Sequence, residues 1–178
     1  MIIDDQHDVI ACLSDPRTYG LDDTTVERID THSAIVFLAG DRAYKLKRAV
    51  RYDYLDFSTR DRRRRCCDAE VELNRRTAPS LYLGVEPVSE GTDGRLQLGG
   101  TGTARDWVVV MRRFAADALF DRMASRSALD TSLMAPLSAA VRALHDRAEH
   151  SLRDAHRVVE RPVRHLGLDH PELGEMAP

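Results

Sequence analysis

The chain has 178 residues, 31% of them charged and 43% hydrophobic, with a formal net charge of −3. These totals describe a soluble chain of one domain, with or without a ragged end, and argue against a nucleic-acid binder driven by bulk charge. No stretch approaches the roughly 20 apolar residues that a membrane span needs. The acidic start Met1-Ile2-Ile3-Asp4-Asp5 lacks the apolar core of a signal peptide. The three cysteines are Cys12 and the neighbours Cys66 and Cys67, with no zinc-like Cys/His spacing, so a cytoplasmic setting is expected.

In chain order, residues 8–13 carry Val9, Ile10 and Leu13 and read as a short helix, with Asp4 or Asp5 as caps. Ser14-Asp15-Pro16 stops it, since Pro disfavours helical geometry in the residue before it. Residues 24–29 alternate weakly and read as a first strand. Residues 31–47 then predict two strands joined at Gly40-Asp41, because Gly accepts positive φ and Asp bonds its own backbone. The first is the apolar run Ile35-Val36-Phe37-Leu38; the second sets Ala43, Tyr44 and Leu46 among Arg42, Lys45 and Lys47. A lysine in a half-buried strand must find a partner or stay wet. The plainest reading leaves Lys45 and Lys47 on a solvated face.

Residues 51–57 read as irregular, followed by a helix from Ser58, its expected cap, to about Thr77. Asp61 favours its first turn, and Cys66, Ala69 or Glu70, and Leu73 fall on one stripe. The basic run Arg62-Arg63-Arg64-Arg65 reads first as a solvated face, with phosphate or nucleic acid as the alternative. Residues 81–88 form a strand that Pro87 places partly near an edge. Residues 89–103 suggest a loose hairpin containing the short strand Arg95-Leu96-Gln97-Leu98. Its Gly99-Gly100-Thr101-Gly102-Thr103 run lacks the Gly-Lys-Ser/Thr end of a P-loop, and no helix is expected after it. Trp107-Val108-Val109-Val110-Met111 fits a strand buried on both faces. Helices are expected at 119–123 and 134–147, the latter with Leu137, Val141 and Leu144 at helical spacing beside His145. From residue 150 the pattern thins into a poorly ordered tail.

Together the elements give an α+β order: strands with an internal lysine, a helix with internal glutamates, two strands, a buried strand ending in Met, then helices. That is the plan of a protein-kinase-like small lobe. It predicts an antiparallel five-stranded sheet with one packed helix over residues 1–114, then the first helices of an incomplete large lobe over 115–149. In such a lobe the lysine neutralises phosphates, the glutamate fixes the lysine, and the linker after the buried strand takes adenine.

The strings Phe37-Leu38-Ala39-Gly40-Asp41-Arg42-Ala43-Tyr44-Lys45-Leu46-Lys47, Leu55-Asp56-Phe57-Ser58-Thr59, Leu73-Asn74-Arg75-Arg76, Ala78-Pro79-Ser80-Leu81-Tyr82-Leu83-Gly84-Val85 and Val110-Met111-Arg112-Arg113-Phe114 carry a resemblance. Over roughly residues 5–149 the chain resembles the N-terminal part of bacterial aminoglycoside phosphotransferase-like/ATP-binding proteins, which pair a kinase-like region with a P-loop ATPase region. The resemblance implies ATP as cofactor and assigns Lys45 to the phosphates, with Lys47 the runner-up. It assigns Glu70 as the lysine's partner, since Glu72 points elsewhere on the helix. The turn from Thr31 through Ser33 and Ala34 would cover the nucleotide, and Met111, Arg112 and Arg113 would form the hinge. Leu144-His145 resembles the helix that leads towards a catalytic loop.

The departures weigh as much. The His-Gly-Asp catalytic segment, the Asn after it, the later metal-binding Asp and a Walker A sequence are all absent from the 178 residues. The chain therefore reads as an N-terminal fragment or stand-alone lobe without catalytic or metal-ligating residues, and turnover by these residues alone is not expected. Magnesium would be held only with a complete large lobe. A separately encoded large lobe or P-loop ATPase region is the implied protein partner, with no membrane partner and nucleic acid disfavoured. The alternatives are a noncatalytic protein- or nucleic-acid-binding module using the basic helix, and a nonfunctional remnant.

Overall fold

A computed structural model describes residues 4–22 and 25–148. The expected beginning of the first strand at Thr24 and the tail from residue 150 lie outside the described residues. Among the described residues are eight strands and four α-helices. They are α1 (His7–Ser14), β1 (Glu27–Asp30), β2 (Ala34–Ala39), β3 (Arg42–Lys47), β4 (Arg51–Tyr52), β5 (Leu55–Asp56), α2 (Arg60–Arg75), β6 (Tyr82–Glu90), β7 (Leu96–Leu98), β8 (Thr103–Arg112), α3 (Phe120–Ser125) and α4 (Met134–Arg147).

The architecture is α+β, with a main sheet of six strands rather than five, in the order β1-β2-β3-β8-β6-β7, every pairing antiparallel. The sixth strand is β7, the short piece expected in the 89–103 hairpin. The stretch expected to be irregular at 51–57 instead contains a separate two-stranded ribbon, β4-β5. The β2–β3 reversal falls on Gly40-Asp41 with Gly40 at φ +57°, a conformation open to glycine at little steric cost. Gly99 and Gly100 also take positive φ, and a Cβ on Gly102 would collide with the Glu90 carbonyl. The Gly-rich run is thus a strand connection shaped by backbone geometry.

Because alternate side chains on a strand face opposite ways, the sheet has two distinct faces. On one, Ile35, Phe37, Tyr44, Leu46, Val108 and Val110 bury against Val9 and Leu13 of α1. On the other, Val109 packs with Cys67 and Val71 of α2, flanked by Tyr82, Val85, Trp107 and Met111. A helix therefore covers each face, where one packed helix was expected. Val108, Val109 and Val110 are at most 1% exposed, as the apolar run in β8 predicts, and each such burial stabilises by about 1.5 kcal/mol. Pro87 sits in β6 beyond the end of the β7 ladder. Its carbonyl accepts from Gly99 N, and on its other side it pairs with Trp107 of β8.

Helix α2 departs from its expected stripe by about one residue. Thr59, not Ser58, caps it, accepting from Arg62 N, while Ser58 bonds Asp56. The buried face is Arg63, Cys67 and Val71, and Leu73 is 60% exposed. The reason is an arginine in the core. Arg63 is fully buried, its Nε 3.0 Å from Asp106 Oδ1 and its Nη2 3.0 Å from Asp4 Oδ2. Gln6 completes the cluster by donating to Asp106 Oδ2 and to the Lys47 carbonyl while accepting from Ala49 N. A hydrophobicity stripe cannot place an arginine inside, because only the carboxylate on β8 makes that burial tolerable.

Candidate functional site

Lys45 and Lys47 lie two apart on β3 and so share the α2 face of the sheet. Arg63, Cys67 and Glu70 recur at helical spacing on α2, and the turn that buries Arg63 also brings Glu70 over β3. Lys45 Nζ donates to Glu70 Oε1 at 2.8 Å, and Lys47 Nζ donates to Glu70 Oε2. The lysines are therefore not on a solvated face: the Lys45 side chain is 30% exposed, Lys47 9% and Glu70 13%. Lys47 also lies over the Phe57 ring, 5.2 Å from its centroid.

Burial alone pushes the Glu70 carboxyl up, but hydrogen bonds from Lys45 and Lys47, with their charges, outweigh it and hold the group below its ordinary value. The Cys67 thiol beside it is pushed up to about 12 by burial, and burial likewise raises the Tyr82 phenol. Both stay neutral, so the cluster holds two ammonium groups against one carboxylate. One positive charge is left over at a half-buried position.

The cross-strand registers place an apolar strip beside this charge. Leu38, Ala43, Met111 and Tyr82 form one row across β2, β3, β8 and β6. Val36, Lys45, Val109 and Val85 form the next, and Ala34 pairs with Lys47 at the end. Val36, Leu38 and Met111 are only half-buried, so the strip stays accessible next to Lys45. The turn before Ala34 is closed by Thr31, whose hydroxyl donates to Ala34 O and whose oxygen also accepts from Ala34 N. The Ser33 carbonyl accepts from Arg48 N. Ser33 and Ala34 thus stand at the Lys47 end of the strip.

Met111 contributes its side chain to the strip, but the backbone beyond it is already engaged. Arg112 N donates to Leu81 O and Arg113 N to Asp41 O, both at 2.8 Å, and Arg113 Nη2 reaches Glu27. The amide N–H groups of Arg112 and Arg113 are therefore not free to meet a base edge. Two open grooves, about 740 Å³ at residues 51–56 and about 500 Å³ around Gln6 and Arg48, are lined by neither Lys45 nor Glu70. Among the described residues, no group of three or more His, Cys, Asp or Glu is placed to hold a metal ion.

The basic run on α2 is largely occupied within the fold. Arg62 pairs with Asp56, Arg63 with Asp106 and Asp4, and Arg64 with Asp68. Arg64 also stacks 4.0 Å from the Trp107 ring centroid. Sequence reasoning passed over Asp106 and Gln6 and offered Asp4 only as a cap of the first helix, where it instead pairs with Arg63. Their signal, polar residues bracketing apolar runs, is indistinguishable from ordinary surface.

Among curated proteins the chain is 41% identical over 93 residues to uncharacterized proteins of Mycobacterium bovis and of two Mycobacterium tuberculosis strains. The aligned stretch is 52% of this chain and 17% of each relative, so the chain matches a small part of proteins much longer than the match. No family model matches the chain. No solved structure matches it. Among the described residues no helix is long and apolar enough to cross a membrane.

Proposed function

We propose that this chain is a kinase-like small lobe that binds a nucleotide, taking the phosphates of ATP at Lys45 and the base along the Leu38–Ala43–Met111 row. The observation that carries the reading is the Lys45–Glu70 pair, made between a central strand and the helix packed on it, with a second lysine, Lys47, on the same carboxylate. A net positive charge in a half-buried place calls for an anion. The accessible apolar strip next to it suits a planar base. Residues that would abstract a proton or hold magnesium are missing from the sequence, so these residues bind without transferring phosphoryl. Large apolar side chains past the sheet, among them Phe114, Phe120, Leu137 and Val141, are exposed, which accords with a large lobe supplied by another polypeptide segment.

Calorimetric titration with ATP tests the reading. Weak binding by the wild type that Lys45→Ala abolishes supports it; equal, negligible heats from both proteins overturn it. The occupation of Arg62, Arg63 and Arg64 by internal carboxylates leaves little free charge for a nucleic-acid reading of α2.

A further inference from the structure

We infer that Lys47 is the resident counter-ion of Glu70, a positioning residue that keeps the carboxylate paired and so releases Lys45 to a phosphate-bearing ligand. The two ammonium groups occupy different carboxylate oxygens, Lys45 on Oε1 and Lys47 on Oε2. Their surroundings differ sharply. Lys47 is nearly enclosed, lies over Phe57, and has its own backbone carbonyl pinned by Gln6. Lys45 is three times as exposed and makes its side-chain hydrogen bond to Glu70 alone among the described residues.

With a single lysine, a carboxylate that orients the ammonium also competes with the ligand for it. Moving that lysine to a phosphate would strand a buried carboxylate, a costly state. The second lysine removes the conflict. When Lys45 turns to an incoming phosphate, Glu70 retains Lys47, and no buried charge is left unpaired. The groups facing Glu70 fit this account. From β3 these are Lys45 and Lys47; from α2 the neutral Cys67 thiol; from β6 the neutral Tyr82 phenol. Asp106 on β8 is engaged by Arg63 and Gln6.

The inference deepens the nucleotide reading, and its test has one arm that does not depend on it. In the ligand-free chain, the Glu70 carboxyl carbon is followed by NMR through an acid titration. Lys47→Met should raise the Glu70 midpoint by about one pH unit, and Lys45→Met should raise it less. A larger rise in Lys45→Met overturns the assignment. In the second arm ATP is the probe. Lys47→Met pins Lys45 to Glu70 and should weaken ATP roughly tenfold, the equivalent of one unit in pKa. Adding Glu70→Gln to Lys47→Met frees Lys45 and should recover the affinity. A purely structural lysine predicts no such recovery, so a double variant as weak as Lys47→Met overturns the inference. Absence of ATP binding by the wild type would defeat the nucleotide reading, while the ligand-free arm would still decide the role of Lys47.

Discussion

Two charged clusters tie α2 to the sheet, and they are built on opposite plans. At the N-terminal turn of the helix, Arg63 and Asp106 are 0% and 1% exposed, and Asp4, Gln6 and the Phe57 carbonyl take up their remaining hydrogen-bonding capacity. Two turns later, Glu70 faces two lysines, one of them partly open to solvent. The first cluster is saturated and closed. The second carries surplus positive charge next to an accessible apolar strip. A buried ion pair that exists only to join elements can satisfy every donor and acceptor internally. A site that receives a charged ligand must leave something unsatisfied, and here that is Lys45.

The largest expected effect breaks the closed cluster. Asp106→Ala leaves the Arg63 guanidinium buried without its main partner and should cost about 3–5 kcal/mol in urea denaturation. Replacing both partners, Arg63→Met with Asp106→Leu, should recover most of that loss, because removing both charges removes the desolvation problem. If the double variant is as unstable as Asp106→Ala, the cluster does more than join the elements.

The open cluster should respond to acid next. Glu70 is held below its ordinary value, so its ion pairs contribute fully above the ordinary carboxylate range. That contribution disappears as pH falls through the lower folded value. Urea midpoints should therefore fall on acidification. In the Lys45→Met/Lys47→Met variant the sign of the Glu70 contribution reverses. Burial alone then raises the carboxyl, and protonation favours the fold. An unchanged acid slope in that variant would show that Glu70 is not what distinguishes the cluster.

Smaller still is the stability effect of Lys45→Met. Because Lys45 is partly exposed and Glu70 keeps Lys47, the midpoint should move by less than about 1 kcal/mol while ATP binding is lost. A loss of several kcal/mol would make Lys45 structural and erase the contrast between the clusters. Arg64→Ala, which removes a solvent-facing stack on Trp107 from the same helix, supplies the baseline at about 0.5 kcal/mol.

Local patterns in the chain located most elements. The Gly40-Asp41 reversal, the buried strand at Val108-Val109-Val110 and the helix Met134–Arg147 all follow from short-range signals: turn chemistry, an apolar run and a 3.6-residue period. The 51–57 ribbon was missed, because two-residue strands carry almost no pattern of their own and exist through their partners; the short strand at Leu96–Leu98 was expected, although the sheet was counted at five strands. The stripe on α2 was misplaced for a related reason. Its buried face includes an arginine, and no local rule puts one there.

By itself the sequence determined that Lys45 and Lys47 share a strand face, that Glu70 lies on a helix, and that an apolar strand follows, since strand and helix periodicities are properties of the backbone. Only the tertiary structure decided which carboxylate meets which cation. Asp106 rather than a surface acid neutralises Arg63, and that burial sets the rotation of α2 that brings Glu70 over both lysines. Ion pairing between residues 23 or more positions apart depends on how faces dock, and docking is settled by the whole core at once rather than by any segment within it.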